Sequence, residues 1–245
     1  MNAEHKPLRP STVLPSLLTT GNLLCGFLSL ILASQGAYRP AAALIFLGLL
    51  FDSLDGQMAR WLGIATDFGI EYDSLADVIT FGVAPAFLWG QLVLAPWGRA
   101  GWLSGFLFVV GAALRLARFN IQSNSSQPTD HFQGLPSPSA AGTLAGLSLL
   151  TTKTPLPSTV WIHWGALLLP PALAALMIST LPYRHFKHLP RDSFRISWFV
   201  GGFAAFVTLI LVAPHWTLAI TFGGYALSGP IGLLLPQRHP PAEET

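Results

Sequence analysis

Apolar stretches of membrane-spanning length recur along the chain, and that recurrence restricts it to one architectural class. A helix needs about 20 mostly apolar residues to cross a bilayer. Eight segments come near that length: Leu14–Ser34, Ala41–Trp61, Ile70–Leu94, Gly101–Phe119, Ser137–Thr151, Trp161–Leu181, Ile196–Ala213 and His215–Leu235. Hydrocarbon offers no partner for backbone amides, so each such segment is expected as a helix. The fold expected is all-α, a polytopic transmembrane helical bundle with these eight spans. The fifth is short, and only Pro214 and His215 separate the last two, which leaves seven spans as the alternative. Composition agrees: 51% of the 245 residues are hydrophobic and 10% charged, against about 25% charged in soluble domains.

Lys and Arg collect in cytoplasmic loops of membrane proteins. With eight spans and an inward N-terminus, the inside holds Lys6, Arg9, Arg60, Arg115, Arg118, Arg184, Lys187, Arg191, Arg195 and Arg238, leaving Arg39, Arg99 and Lys153 of the 13 basic residues outside. Both termini and the stretch from Asp52 to Asp77 are therefore expected on the cytoplasmic side of the cell (inner) membrane. The polar stretch Gln122–Gln133 reads as a cytoplasmic loop. A net charge of +2 is too small to suggest nucleic acid. The single cysteine, Cys25, excludes an internal disulfide framework and reads as a small apolar helix residue. Residues Met1–Pro10 are polar, and no small-residue cleavage site follows the first apolar run, so that run is expected as a retained helix. Gly142 and Gly146 form a small-xxx-small pair that permits close helix packing.

The informative stretch is FDSLDGQMARWLGIATDFGIEYDSLAD, residues 51–77, where the second apolar segment ends and the third begins. Asp52 and Asp55 are three apart, and Asp73 and Asp77 four apart. Both spacings place a pair on one helix face. A short turn around Gly63–Asp67 makes the two helices antiparallel neighbours, so the four carboxylates can converge. Any one of them reads equally well as a solvated aspartate at a helix end. Four together in a partly embedded site need a compensating cation. Carboxylates without His or Cys suit Mg²⁺ or Mn²⁺, and two ions could share bridging carboxylates, as in two-metal phosphoryl-transfer sites. Gly56 and Gly69 allow close approach of a ligand or backbone, and the fork of Arg60 suits phosphate. Asp67 and Glu71 are expected in the same turn, facing water, and outside the site.

The pattern Asp52-x2-Asp55-Gly56-x2-Ala59-Arg60-x8-Gly69-x3-Asp73-x3-Asp77 resembles the signature of the CDP-alcohol phosphatidyltransferases at every specified position. The resemblance implies an enzyme that takes a CDP-linked lipid and an alcohol, forms a phosphodiester and releases CMP. Carried over by that likeness, Asp52, Asp55, Asp73 and Asp77 are the metal ligands, Asp55 largely through its backbone carbonyl. Asp77 is also the catalytic base. Gly56 and Arg60 would touch the nucleotide or diphosphate. Asn22, within LPSLLTTGNLLCG (14–26), resembles the family's upstream Asn near the cytidine diphosphate of CDP-diacylglycerol. The likeness also implies a homodimer. It divides the chain into a cytoplasmic N-terminal segment (1–13), a catalytic transmembrane core (14–151), C-terminal transmembrane helices (152–236) that no motif supports, and a cytoplasmic tail (237–245).

Three segments narrow the acceptor. DSLADVITFGVAP (73–85), RLARFN (115–120) and FQGLPSP (132–138) look like the membrane-embedded phosphatidylserine synthases of this family, which implies L-serine and CDP-diacylglycerol as substrates. Arg115 and Arg118 are candidates for the serine carboxylate, with Asn120 and Gln133 as further contacts. Arginine also serves at a cytoplasmic helix end, complementing the helix dipole and anionic membrane lipids. Ser137 and Pro138 are expected to shape a helix start. His185-x-Lys187-x4-Asp192 matches the core of the phospholipase-D-type motif, but the second copy and the following Gly-Ser-x-Asn are missing, so a basic loop is the expected reading. A sibling transferase using glycerol 3-phosphate, inositol phosphate or choline is the first alternative. A transporter with an acidic cation site is the second, opposed by the confinement of the acidic cluster to one half of the chain.

Overall fold

The computed structural model describes residues 10–62, 66–123, 134–157, 159–181, 183 and 208–234. Their elements are α1 (Pro10–Ser34), α2 (Tyr38–Leu62), α3 (Asp67–Trp97), α4 (Arg99–Ser123), α5 (Ser137–Lys153), α6 (Val160–Ile178) and α7 (Pro214–Leu234), and no strand occurs among them. α1, α2, α3, α4 and α6 contain the five segments long and apolar enough to cross a membrane. α5, at 17 residues, is short, as its sequence suggests, and α7 has 21. Of the expected span Ile196–Ala213, only the helical residues 208–212 and Ala213 fall among the described residues. Apolar side chains such as Leu17, Leu24, Phe27, Leu103 and Phe106 point outward, which suits a protein whose solvent at mid-height is lipid.

α3 is the central helix. Of its apolar window 56% is buried, against 28% to 39% in the other four. Phe81, Ala84 and Leu88 on α3 pack with Ala33, Ala41, Ala42, Ile45, Ala141 and Ala145 from α1, α2 and α5. Ala86, Trp89 and Leu94 on the same helix join a second core, with Phe108, Leu135, Leu144, Leu173 and Met177 from the other side. Just after Asp77 the ladder widens to a π-helical stretch, Val78–Val83, a local irregularity often found beside functional sites.

Small residues set the closest helix approaches. A Cβ on Gly142 would fall 2.4 Å from the Phe222 ring, and one on Gly146 would fall 2.9 Å from the backbone of Ala219. The small-xxx-small pair is therefore the α5–α7 contact. Gly134, at φ 86°, turns the chain into α5 while its amide donates to Leu181 O at 3.0 Å. A side chain there would be strained by φ and would meet the carbonyls of Met177 and Ser179.

Several helices run past their hydropathy boundaries into polar flanks: α3 starts at Asp67, α4 continues to Ser123 and α5 to Lys153. Thr66 caps α3, its Oγ1 accepting from Gly69 N at 3.1 Å, so the helix starts at Asp67. Asp67 and Glu71, expected in a turn, lie instead in the first turns of α3, exposed as expected. Hydropathy cannot see helix that continues beyond the hydrocarbon; capping chemistry can.

Candidate active site

Alternating helix directions gather the C-terminal ends of α2, α4 and α6 with the N-terminal ends of α3 and α5. There α2 contributes Asp52 and Asp55, and α3 contributes Asp73 and Asp77. One carboxylate oxygen each from Asp52, Asp55 and Asp73 lies within 4.8 Å of the others. Asp77 sits one turn further along α3, 6% exposed. Like charges this close repel unless a cation lies among them. Asp73 Oδ1 is buried without a hydrogen-bond partner. An all-carboxylate set with an open acceptor fits a hard divalent cation, which prefers oxygen ligands.

α1 closes the site from below. Thr19 Oγ1 donates to Asp55 Oδ2 at 3.1 Å, and Asn22 Nδ2 donates to Asp77 Oδ1 at 2.9 Å. Thr80 Oγ1 donates to Asn22 O at 2.9 Å and stitches α3 to α1 at the same level. Glycine makes this approach possible: a Cβ on Gly26 would fall 2.5 Å from Thr80 Oγ1, and one on Gly48 2.6 Å from Thr80 Cγ2 and 3.0 Å from Asn22 Oδ1.

The opposite wall carries the cation. Arg115 Nη1 donates to Ser137 Oγ at 2.9 Å, its Nε is buried without a partner, and its charge acts on Asp52 and Asp77. Ser137 is the first residue of α5, but no side chain caps that helix start, and the Ser137 hydroxyl instead anchors this arginine. Arg118 Nη1 reaches Ile178 O at 3.4 Å, at the C-terminal end of α6. Asn120 Nδ2 donates to Ser74 Oγ at 3.0 Å and approaches Glu71 Oε2 at 3.4 Å, tying α4 to α3. Tyr225 of α7 stands near Arg115, and its ring packs on Tyr183, the centroids 5.5 Å apart. Burial, and then the neighbouring Tyr225, push the Tyr183 phenol up to about 12. It therefore remains a neutral donor, bonded to Ala226 O at 3.1 Å.

Residues 12–172 match the model of the CDP-alcohol phosphatidyltransferases. The chain belongs to this family. It is 35% identical over 228 residues to a CDP-diacylglycerol–serine O-phosphatidyltransferase of Helicobacter pylori, covering 91% of this chain and 92% of the relative. A protein of the same description from Mycobacterium leprae is 32% identical, covering 86% of this chain and 72% of the relative. The archaetidylserine synthase of Methanothermobacter thermautotrophicus is 37% identical over 180 residues, covering 73% of this chain and 72% of that protein.

The CDP-alcohol phosphatidyltransferase motif thus maps onto one end of a multi-pass membrane bundle. The structure brings together Asp52, Asp55, Asp73, Asp77, Asn22 and Arg115, with Gly56 half-buried beside Asp55. Arg118 and Asn120 stand at its rim, each held by another helix. The side chain of Arg60, and all of Gln133, His185, Lys187 and Asp192, lie outside the described residues. Sequence reading missed Thr19, Ser74 and Tyr225. Thr19 had a signal, lying three residues before Asn22 on the same helix face; Tyr225 had none, because its place depends on how α7 packs.

Proposed function

We propose that the chain transfers the phosphatidyl group from CDP-diacylglycerol to the hydroxyl of L-serine, giving phosphatidylserine and CMP. One observation carries the choice of acceptor: the Helicobacter pylori relative, named for serine, is 35% identical across 91% of this chain. Asp52, Asp55 and Asp73 would hold divalent metal, Mg²⁺ or Mn²⁺ and in two sites if Asp77 joins them. What the metal supplies when bound is neutralisation of negative charge on the diphosphate and the departing CMP.

The residues of the chain divide the remaining work. Asp77 accepts the proton of the serine hydroxyl as that oxygen attacks the lipid-proximal phosphorus. A P–O bond to serine forms, the P–O bond to CMP breaks, and the proton ends on the Asp77 carboxylate. Arg115 binds the serine carboxylate, supported by its buried, unpartnered Nε and its place beside Asp77. Arg118 and Asn120 hold that wall through α6 and α3 and remain candidates for direct serine contact, with Gln133. Gly56 and Arg60 would face the nucleotide. Close packing around Asp77 keeps water from hydrolysing the CDP-lipid. The sequence expectation that ten of the 13 basic residues fall in inward loops supports a site facing the cytoplasm from the inner membrane.

The test is CMP release by purified protein in lipid nanodiscs, with CDP-diacylglycerol, Mn²⁺ and one alcohol at a time. Release with L-serine, and not with glycerol 3-phosphate, inositol phosphate or choline, is expected. Release with one of the others alone would assign the chain to that acceptor.

A further inference from the structure

Thr19 and Asn22 are three residues apart on α1, so they share a face. Each donates to a carboxylate on a different helix, Thr19 to Asp55 of α2 and Asn22 to Asp77 of α3. All four residues are buried, and Asn22 has no exposed surface. The orientation of the Asn22 amide follows from chemistry, since its oxygen turned toward the carboxylate would set acceptor against acceptor. That oxygen instead lies on the Gly48 side, buried and without a partner. A wholly buried amide whose one bonded end meets the proposed base acts through that base rather than on a nucleotide.

We propose that Thr19 and Asn22 are positioning residues, a two-point clamp by which α1 sets the rotamers of Asp55 and Asp77. The clamp rests on the reading that Asp55 holds metal and Asp77 takes the acceptor proton. An aspartate carboxylate is free about a broad terminal torsion, and a site made of four of them needs each oxygen aimed. Thr80, bonded to the Asn22 carbonyl, keeps α1 from sliding against α3. Gly26 and Gly48 hold α1, α2 and α3 at the distance the two side chains can span. The clamp joins one residue from each carboxylate pair, so both pairs are referred to one helix.

The experiment uses the full chain in nanodiscs and the near-isosteric variants Thr19→Val and Asn22→Leu, with Thr19→Ser as the conservative control. Mn²⁺ binding is titrated by electron paramagnetic resonance without either substrate. Thr19→Val is expected to weaken binding about 10- to 100-fold, the usual effect of removing a hydrogen-bond partner from a metal ligand, with Thr19→Ser close to wild type. Asn22→Leu is expected to lower kcat about 100-fold through misplacement of the base, with KM for CDP-diacylglycerol and serine unchanged. Wild-type Mn²⁺ affinity in Thr19→Val would overturn the clamp. So would a raised KM for CDP-diacylglycerol at unchanged kcat in Asn22→Leu, which is the signature of a nucleotide contact. The Thr19 variants decide the matter even where Asn22→Leu is too unstable to purify. The titration contains no acceptor, so it reads the clamp whether or not serine proves to be the substrate.

Discussion

The two ends of the bundle differ in their chemistry. At the end away from the carboxylates, a cavity of about 610 Å³ opens among Leu92, Val93, Pro96, Trp97, Leu156 and His163. Trp97 and Trp164 meet edge to face beside it, their centroids 4.8 Å apart. Its one buried polar atom without a partner, among the described residues, is His163 Nδ1. At the other end, carboxylates, an amide, hydroxyls and a guanidinium arrive from five helices, and Asn22 Oδ1, Asp73 Oδ1 and Arg115 Nε are left open. Polar groups brought together from separate helices, at the cost of leaving some unpaired, mark the reactive end.

The largest effect should come from Asp77. Replacing it with Asn removes the base while keeping the shape, and kcat should fall about 10²- to 10⁴-fold, measured as serine-dependent CMP release at saturating Mn²⁺. A near-normal rate would break the comparison at its centre. Arg115→Leu should raise the KM for serine about 10- to 100-fold, in line with about 1.5–3 kcal/mol for a hydrogen bond to a charged group. Arg118→Leu, already committed to α6, should raise it less. Gly48→Val should cost about 1–3 kcal/mol through overpacking, read as a lower Tm. Gly223→Ala is its control, since a Cβ there meets nothing within 4 Å.

Tyr183→Phe sharpens the comparison from the edge of the site. It should cost about 1 kcal/mol for one lost hydrogen bond. The folded-state pKa of Tyr183 lies above its ordinary value of 10.0, so the neutral phenol stabilises the fold fully below that pH. The difference between wild type and Tyr183→Phe should then shrink as pH rises from about 10 through about 12. The smallest effect belongs to the opposite cavity: His163→Ala should leave transfer activity within about twofold, as for most changes away from such features.

The spans and the carboxylates were legible in the sequence because each depends on local pattern. A run of apolar residues needs only its own length to be read, and Asp52, Asp55, Asp73 and Asp77 declare themselves by helical spacing. Helix ends were less legible: the start at Asp67 rests on the hydroxyl of Thr66, a single side chain that hydropathy averages away. The partners of the carboxylates were harder still. Thr19 meets Asp55 across 36 positions and Asn22 meets Asp77 across 55, and only helix packing brings such residues together. Tyr225 lies beyond the matched residues 12–172, and its place on the Arg115 side depends on the α5–α7 contact that Gly142 and Gly146 permit.

The most direct test of where the chemistry resides is anomalous diffraction at the manganese edge from crystals soaked in Mn²⁺. Density bounded by Asp52, Asp55, Asp73 and Asp77, with none beside His163, is the expected result. Density beside His163, or no density among the four aspartates in a crystal that binds Mn²⁺ elsewhere, would contradict it.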